Sequence, residues 1–432
     1  MTILSIGVRM EPPKGIIKMA NLPKFPKLRM AHARWDKKDG INMLHLQDDL
    51  SLASTGVQVP EHLVPLLELC DGTRSVPAIN GGLIFRGVMI GQPAVENLLT
   101  QLDDALLIQN GQFKNVKAKA TKSFRALKAR KMAHGGSVYP SNPIALNEYF
   151  ESEKKRHKTE PSVNAVDGAS LRAVISPHID YRRGAATYAK LWSNAAEHMD
   201  DIEQVITLGT DHKGSANSVT FTYQNYMTPF GMVRTDREAV KKQTDYLSTS
   251  NPLEDELHHR DEHSIELALN WFVHALGRAD ILHLPVLCGS LHQYIESDSR
   301  PADDALFQKV VESLTDYVSK RPTLVIAAGD FSHMGPAFDP RGALANEELA
   351  QIEDSDEESL SLVETGNIDA FFDLSSKEKD ERKLCGLSPI YLMGKILDID
   401  NWYGITVDYQ QCPADEAGTS IVSIAGTLIF GK

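Results

Sequence analysis

AVISPHIDYRRGAATYAK, residues 173–190, decides how most of this chain is read. Ala173 to Ser176 form a short apolar run of strand type. The polar cluster Ser-Pro-His-Ile-Asp-Tyr follows, and a helical stretch extends from Gly184 to His198. The same order recurs twice downstream: Val205 to Gly209 leads into GTDHKG, and Thr323 to Gly329 leads into DFSHMG. Further strand candidates are Ile281 to Leu287 and Ser420 to Phe430. Helices are expected over Ser264 to Leu276, with Ile265, Leu269 and Phe272 on one face, and over Ala305 to Val318. Buried strands alternating with helices predict a layered α/β domain.

The polar clusters sit where such a domain keeps its chemistry. Ligands of open α/β sheets bind beyond the carboxyl ends of strands, so side chains delivered there by separate strands converge. The three clusters place His178, Asp211 with His212, and Asp330 with Ser332 and His333 at strand ends. A fourth element, Arg260-Asp261-Glu262-His263-Ser264, opens an amphipathic helix and aims carboxylates and an imidazole at the same region. Neutral imidazole is the commonest metal-binding side chain, and two histidines with one carboxylate are the ligand set of non-haem iron oxygenases. The same groups without a metal serve as acid and base. Spacing alone leaves both readings open. Ser332 lacks a GxSxG elbow, and neither GxGxxG nor a phosphate-binding GxxxxGK[ST] occurs, which counts against serine-hydrolase, dinucleotide and P-loop readings, while metal-independent or zinc-dependent hydrolysis stays as a third reading. His258-His259 reads as a surface pair, and the acidic run Glu353 to Glu358 as solvated charge on a helix.

Upstream the pattern differs. Residues 1–25 carry EPPK and NLPKFPK and read as an extended arm. Within 26–113, strand-like runs from Leu28 to Leu46 flank Lys37-Lys38-Asp39-Gly40, a hairpin signal. A helix is expected to open at Val59-Pro60-Glu61, with Leu63, Leu66, Leu67 and Cys70 at helical spacing, and another to run from Pro93 to Leu107. This small α+β module resembles winged-helix, PqqD-like domains in layout. Residues 114–129 carry a run of lysines and arginines without an acid and read as a basic linker to the domain at 130–432.

Composition bounds the function. At 432 residues the chain exceeds one ordinary core, so two domains are expected. A net charge of −13 argues against a general nucleic-acid binder, which needs clustered surplus cations. Cys70, Cys288, Cys385 and Cys412 are far apart with no CxxC, so reduced thiols and a cytoplasmic location are expected. No signal-peptide core or run of about 18 apolar residues occurs, so no membrane partner is expected.

HGGSVYP (134–140), VISPHIDYRRG (174–184), TLGTDHKG (207–214), TPFGMVRTD (228–236), DEHSIELAL (261–269), LPVLCG (284–289), AAGDFSHMG (327–335) and CGLSPI (385–390) occur in the order of the Memo family. That family is also called AmmeMemoRadiSam system protein B. The resemblance implies a fold like class III extradiol dioxygenases, with a central sheet and helices on both faces. It implies His178 and His212 as the first metal ligands, completed by Asp330 or Glu262. His263, His333, Asp261 and Glu262 would be the acid, base or substrate-binding groups. A metal ion is implied, iron first, with copper and zinc as alternatives. The substrate is an unidentified small molecule or peptide, and the implied partners are AMMECR-type and radical SAM proteins. A non-catalytic peptide-binding module is the alternative. The chain departs from the family's pattern at three places. PHxGY appears as PHIDY, which adds Asp180. GPSHH appears as GTDHK, which adds Asp211 and replaces a histidine by Lys213. Animal members carry cysteine at the position of Ser332, so a thiolate ligand from that position is not expected.

Overall fold

The computed structural model describes residues 22–38, 40–158, 163, 165, 166, 168–214, 219–339, 341–397 and 402–431. The arm expected at 1–25 lies outside the described residues up to position 21. The chain divides into two compact units, 1–120 and 121–432.

In the first unit β1 (Ala31–Lys38), β2 (Ile41–Asp48) and β3 (Val57–Pro60) form an antiparallel sheet in that order. Gly40 turns the expected hairpin at φ +81°, a left-handed conformation that glycine adopts freely. The helix expected to open at Val59-Pro60-Glu61 does begin its first turn at Glu61, while the residues just before it, 57–60, form a strand. Val57 and Val59 enter the core while Gln58 points out, a period of two that suits a strand, and α1 (Val64–Leu69) begins only after a short 3-10 turn. Next come α2 (Val76–Phe85) and α3 (Gln92–Asp104), whose Leu98, Leu99 and Leu102 pack with Val59, Leu66 and Ile79.

The basic stretch expected as a linker is helical: α4 spans Gly111–Arg125, and the boundary between the units falls within it. From 112 to 125 the segment has neither glycine nor proline and is rich in alanine and lysine, residues with favourable helix propensity. Phe113 and Phe124, three turns apart, are buried.

The second unit begins with β4 (Ala129–Arg130), α5 (Pro143–Arg156), β5 (Ser170–Ser176), α6 (Tyr181–Ala196), β6 (Gln204–Thr210), β7 (Val219–Phe221), β8 (Asn225–Thr228) and β9 (Gly231–Thr235). It continues with α7 (Arg237–Tyr246), α8 (Ser264–Leu276), β10 (Leu282–Cys288), α9 (His292–Glu296), α10 (Ala305–Val318), β11 (Thr323–Ala328) and β12 (His333–Met334). It closes with α11 (Asn346–Glu364), α12 (Ile368–Lys377), α13 (Leu387–Leu397), β13 (Trp402–Pro413) and β14 (Ile421–Gly431). One sheet runs β12-β14-β5-β11-β6-β10-β9-β8-β4, with β13 on β14 and β7 on β10. Its centre, β5, β11, β6 and β10, is parallel. Every residue of β6 and β11 is buried, as expected for parallel strands covered on both faces. Along β11, Val325 and Ala327 join one core with α10, α12 and α13, while Leu324, Ile326 and Ala328 join the other with α5, α6 and α8. Trp271 of α8 anchors the second core, stacked on Phe150 with ring centroids 3.8 Å apart.

Two sequence expectations are corrected. His258 and His259 are buried, not a surface pair. They lie in the 3-10 turn Glu256–Arg260, where His258 Nδ1 meets Asp211 at 2.9 Å. His259 is held on both ring nitrogens, by Tyr226 Oη and the Thr220 carbonyl, so its polar atoms lose water without being left unpaired. The acidic run at 353–358 is not all solvated, because Asp356 is wholly buried. Among the described residues no helix is long and apolar enough to cross a membrane.

Candidate metal centre

The parallel core brings the carboxyl ends of β5, β6 and β11 side by side, and the polar clusters that follow them meet there. His178 follows β5. Its Nδ1 lies 3.0 Å from the Ala328 carbonyl, which only accepts, so Nδ1 carries the proton and Nε2 keeps its lone pair. His212 follows β6 and sets Nδ1 3.1 Å from Glu262 Oε1. His263, at the start of α8, places its Nδ1 3.0 Å from the same oxygen. His333 Nδ1 donates to the Phe331 carbonyl at 3.0 Å. Each of the four histidines thus has Nδ1 occupied by an acceptor, the second contact that metal-ligating histidines generally make. The rings of His178, His212 and His263 lie with centroids 4.8 to 5.1 Å apart.

Glu262 is the buried hub. Its carboxylate also accepts from the backbone nitrogens of His212, His263 and Ser264. Burial opposes its charge, yet the imidazoles of His212 and His263 hold its pKa well below the usual carboxylate range. Burial also opposes a charged His212, but the charge and hydrogen bond of Glu262 leave its pKa above the ordinary value. His178 behaves oppositely: burial, with His212 and His263 beside it, pushes its pKa well down and keeps it neutral. Burial raises Asp330 above the usual range, partly offset by His333.

The side chain beside the histidines that sequence reading missed is Cys385. Its Sγ sits 3.2 Å from His178 Nε2. Ligand atoms of His178, His212 and Cys385 lie within 4.8 Å of one another, as do those of Asp330, His333 and Cys385, and of His212, Glu262 and His263. Among the described residues, Cys385 is the donor grouped with both His178 and His212, while Asp330 and Glu262 each belong to a neighbouring group. Asp330 spends Oδ1 on the His178 backbone nitrogen at 2.8 Å, and its Oδ2 stays 3.7 Å from His178 Nε2. The cysteine comes from the loop before α13, and CGLSPI is visible as a motif, but its position after no strand hid its destination. Close approach makes it work: a Cβ on Gly329 would lie 2.3 Å from Gly386 Cα, so only glycine lets this loop lie on the end of β11.

Two nitrogen donors and a thiol, with Nε2 lone pairs available and a carboxylate behind, suit a transition metal of intermediate to soft character. Burial and the charge of Asp330 raise the Cys385 thiol well above its ordinary pKa, so in the metal-free chain it is protonated. A metal ion held there would displace that proton.

A cavity of about 360 Å³ opens onto the site, lined by His134, His178, Asp180, Arg183, His212, His263, Asp330 and His333 with Ile179, Leu267, Phe338 and Val422 among its apolar walls. At its rim Asp180 pairs with Arg183 at 2.5 Å. His134 was not foreseen as a wall residue. Its backbone nitrogen donates to Glu266, whose buried carboxylate also takes Tyr139 Oη at 2.5 Å and pairs with the buried guanidinium of Arg130. The other expected site residues lie outside the cavity wall. Asp211 turns to His258, Asp261 to Arg260, Glu262 lies behind the histidines, and Ser332 Oγ points to Asp356 at 2.7 Å.

The chain is similar in sequence to proteins of one family. The chain is 23% identical over 401 residues to a MEMO1 family protein of Aquifex aeolicus, covering 89% of this chain and 95% of that protein. It is 28% identical over 271 residues to the protein memo-1 homolog of Caenorhabditis elegans, covering 61% of this chain and 70% of that one. A MEMO1 family protein of Thermococcus onnurineus is 24% identical over 262 residues, 59% of this chain and 82% of the relative. Residues 130–428 match the family described as Memo-like protein, and the chain belongs to that family.

Proposed function

We propose that this chain is a metal-dependent redox enzyme acting on a small molecule or peptide, with the ion held by His178, His212 and Cys385. The observation that carries the reading is the convergence of those three donors within 4.8 Å of one another. Iron is the metal proposed, and when bound it supplies one-electron chemistry and open coordination positions. The chain's own residues do the rest. Glu262 orients His212 and His263. His263 and His333, which face the cavity, exchange protons with the substrate through Nε2. Ile179, Leu267 and Phe338 receive its apolar part, and Arg183 stands at the rim for an anionic one. In the cell we place the chain in the cytoplasm, working beside AMMECR-type and radical SAM proteins.

Anaerobic metal analysis of the full chain beside His178→Ala/His212→Ala and Cys385→Ala tests the proposal. Near-stoichiometric iron, lost in variants that keep their circular dichroism, is the result expected. Equal and negligible metal in all three after iron is added back removes the redox reading and leaves a metal-free binding pocket. Copper in iron's place keeps the donor set and the redox reading, whereas zinc keeps the donor set and removes the redox reading, since Zn²⁺ has no redox chemistry.

A further inference from the structure

Cys385 is carried by the loop of residues 378–386 between α12 and α13, and that loop is unlike the strand ends that carry the histidines. Lys379, Asp380 and Lys383 have φ of 54°, 53° and 53°, a left-handed conformation that costs side-chain-bearing residues energy and persists only where surroundings enforce it. Between them lies Arg382, 5% exposed. Its guanidinium spreads over three acceptors: Asp356 Oδ1 at 2.5 Å, Ser359 Oγ at 3.0 Å and Glu378 Oε2 at 2.8 Å.

Asp356 is wholly buried in α11 and satisfied on both oxygens. Besides Arg382 it accepts from Ser332 Oγ at 2.7 Å, Ser423 Oγ at 2.5 Å and Tyr409 Oη at 2.9 Å. Those partners belong to the segment after β11, to β14 and to β13. The backbone makes a second tie, since the Arg382 carbonyl accepts from His333 N at 2.7 Å and Gly386 N donates to the Asp330 carbonyl at 2.8 Å. A buried ion pair often adds little net stability over an apolar pair of the same size, so what this one contributes is sought in the geometry it holds. Here the geometry imposed is that of the thiol.

We propose that Asp356 and Arg382 are a positioning pair that holds the strained loop down and sets Cys385 Sγ against His178 and His212. Ser332 is a strut of the same device, joining the Asp330–His333 segment to the buried carboxylate. The proposal rests on the reading of Cys385 as the thiol that faces a metal.

The test uses the full chain with two readouts. One is the rate of iodoacetamide modification at Cys385 without metal, followed by peptide mass spectrometry; Cys70, Cys288 and Cys412 are buried. The other is titration with Co²⁺ alone, read by its sulfur-to-cobalt charge-transfer band. Arg382→Lys keeps the charge opposite Asp356 but loses the fork, and Asp356→Leu/Arg382→Met removes both charges together. Both variants are expected to keep cooperative unfolding, modify Cys385 about tenfold faster and bind Co²⁺ about 10- to 100-fold more weakly with loss of the band, as loss of outer support does at metal sites. Unchanged modification rates and cobalt spectra in the folded variants overturn the proposal. A parent chain without a cobalt band sinks the metal reading instead, while the modification rates still decide the positioning role. If neither variant folds, hydrogen exchange of the parent decides. Amides 382–386 protected like those of β11 support the pair, and exchange at the rate of an open loop refutes it.

Discussion

Buried histidines give the fold a pH dependence whose sign follows from where each proton goes. Burial lowers the pKa of His259 and of His283 from 6.5 to about 3. The unfolded chain takes up both protons below pH 6.5, whereas the folded chain refuses them until about pH 3. Stability therefore falls as the pH drops between those values, by about 1.4 kcal/mol per pH unit for each residue. Unfolding free energies from urea titrations at pH 7 to 5 should decline with a slope that approaches this value below about pH 6, and the decline should flatten in His259→Gln/His283→Gln. A slope that the double variant leaves intact would show that other groups carry it. Glu262 is the residue to change for the site itself. Glu262→Gln removes the charge that orients His212 and His263, so Co²⁺ affinity by calorimetry should drop about 10- to 100-fold in a chain that still folds. All four site histidines were legible in the sequence because each follows a recognisable strand or opens a recognisable helix. Cys385 and His134 were not, because each is carried by a loop held in place by residues distant in sequence, Asp330 at 55 positions and Glu266 at 132.

At the level of elements, strand ends are placed by packing that tolerates little change. Gly329→Ala sets a methyl 2.3 Å from the Gly386 Cα, backbone against backbone, so the Cys385 loop must move. Denaturant unfolding should show a loss of about 1–3 kcal/mol, typical of overpacking, together with faster Cys385 modification. Trp271→Ala empties the stack of α8 on Phe150 and should cost about 3–5 kcal/mol by the same measurement. A change under about 1 kcal/mol would mean that α5 and α8 close over the gap. The helices Ser264–Leu276 and Ala305–Val318 were readable to the residue, since apolar spacing marks a long amphipathic helix clearly. The helix opening at Val59-Pro60-Glu61 was readable to within two residues, since Pro60 and Glu61 are good helix openers, but the strand that ends at Pro60 was not, because only pairing with β2 shows it. The stretch 114–129 read as a linker contains the boundary between the units, and up to Arg125 it is helical, as a composition without turn formers allows.

Across the whole molecule the division into units predicts independent folding. Each unit has its own apolar core, and the boundary lies within α4, so a fragment beginning at Asn110 keeps that helix intact. Residues 110–432 should unfold cooperatively by circular dichroism and bind Co²⁺ as the full chain does. Loss of cooperativity would show that the second unit needs residues before 110. The sequence by itself determined the layered α/β class, the family, and which strand ends carry imidazoles, because hydrophobic period and local motifs are written over a few residues at a time. Only the tertiary structure decided that Cys385 meets His178 across 207 positions, that Ser332 turns away to Asp356, and that an acid within a charged run is buried. Those outcomes depend on strand order and on which distant donors reach a buried carboxylate, and no local period encodes either.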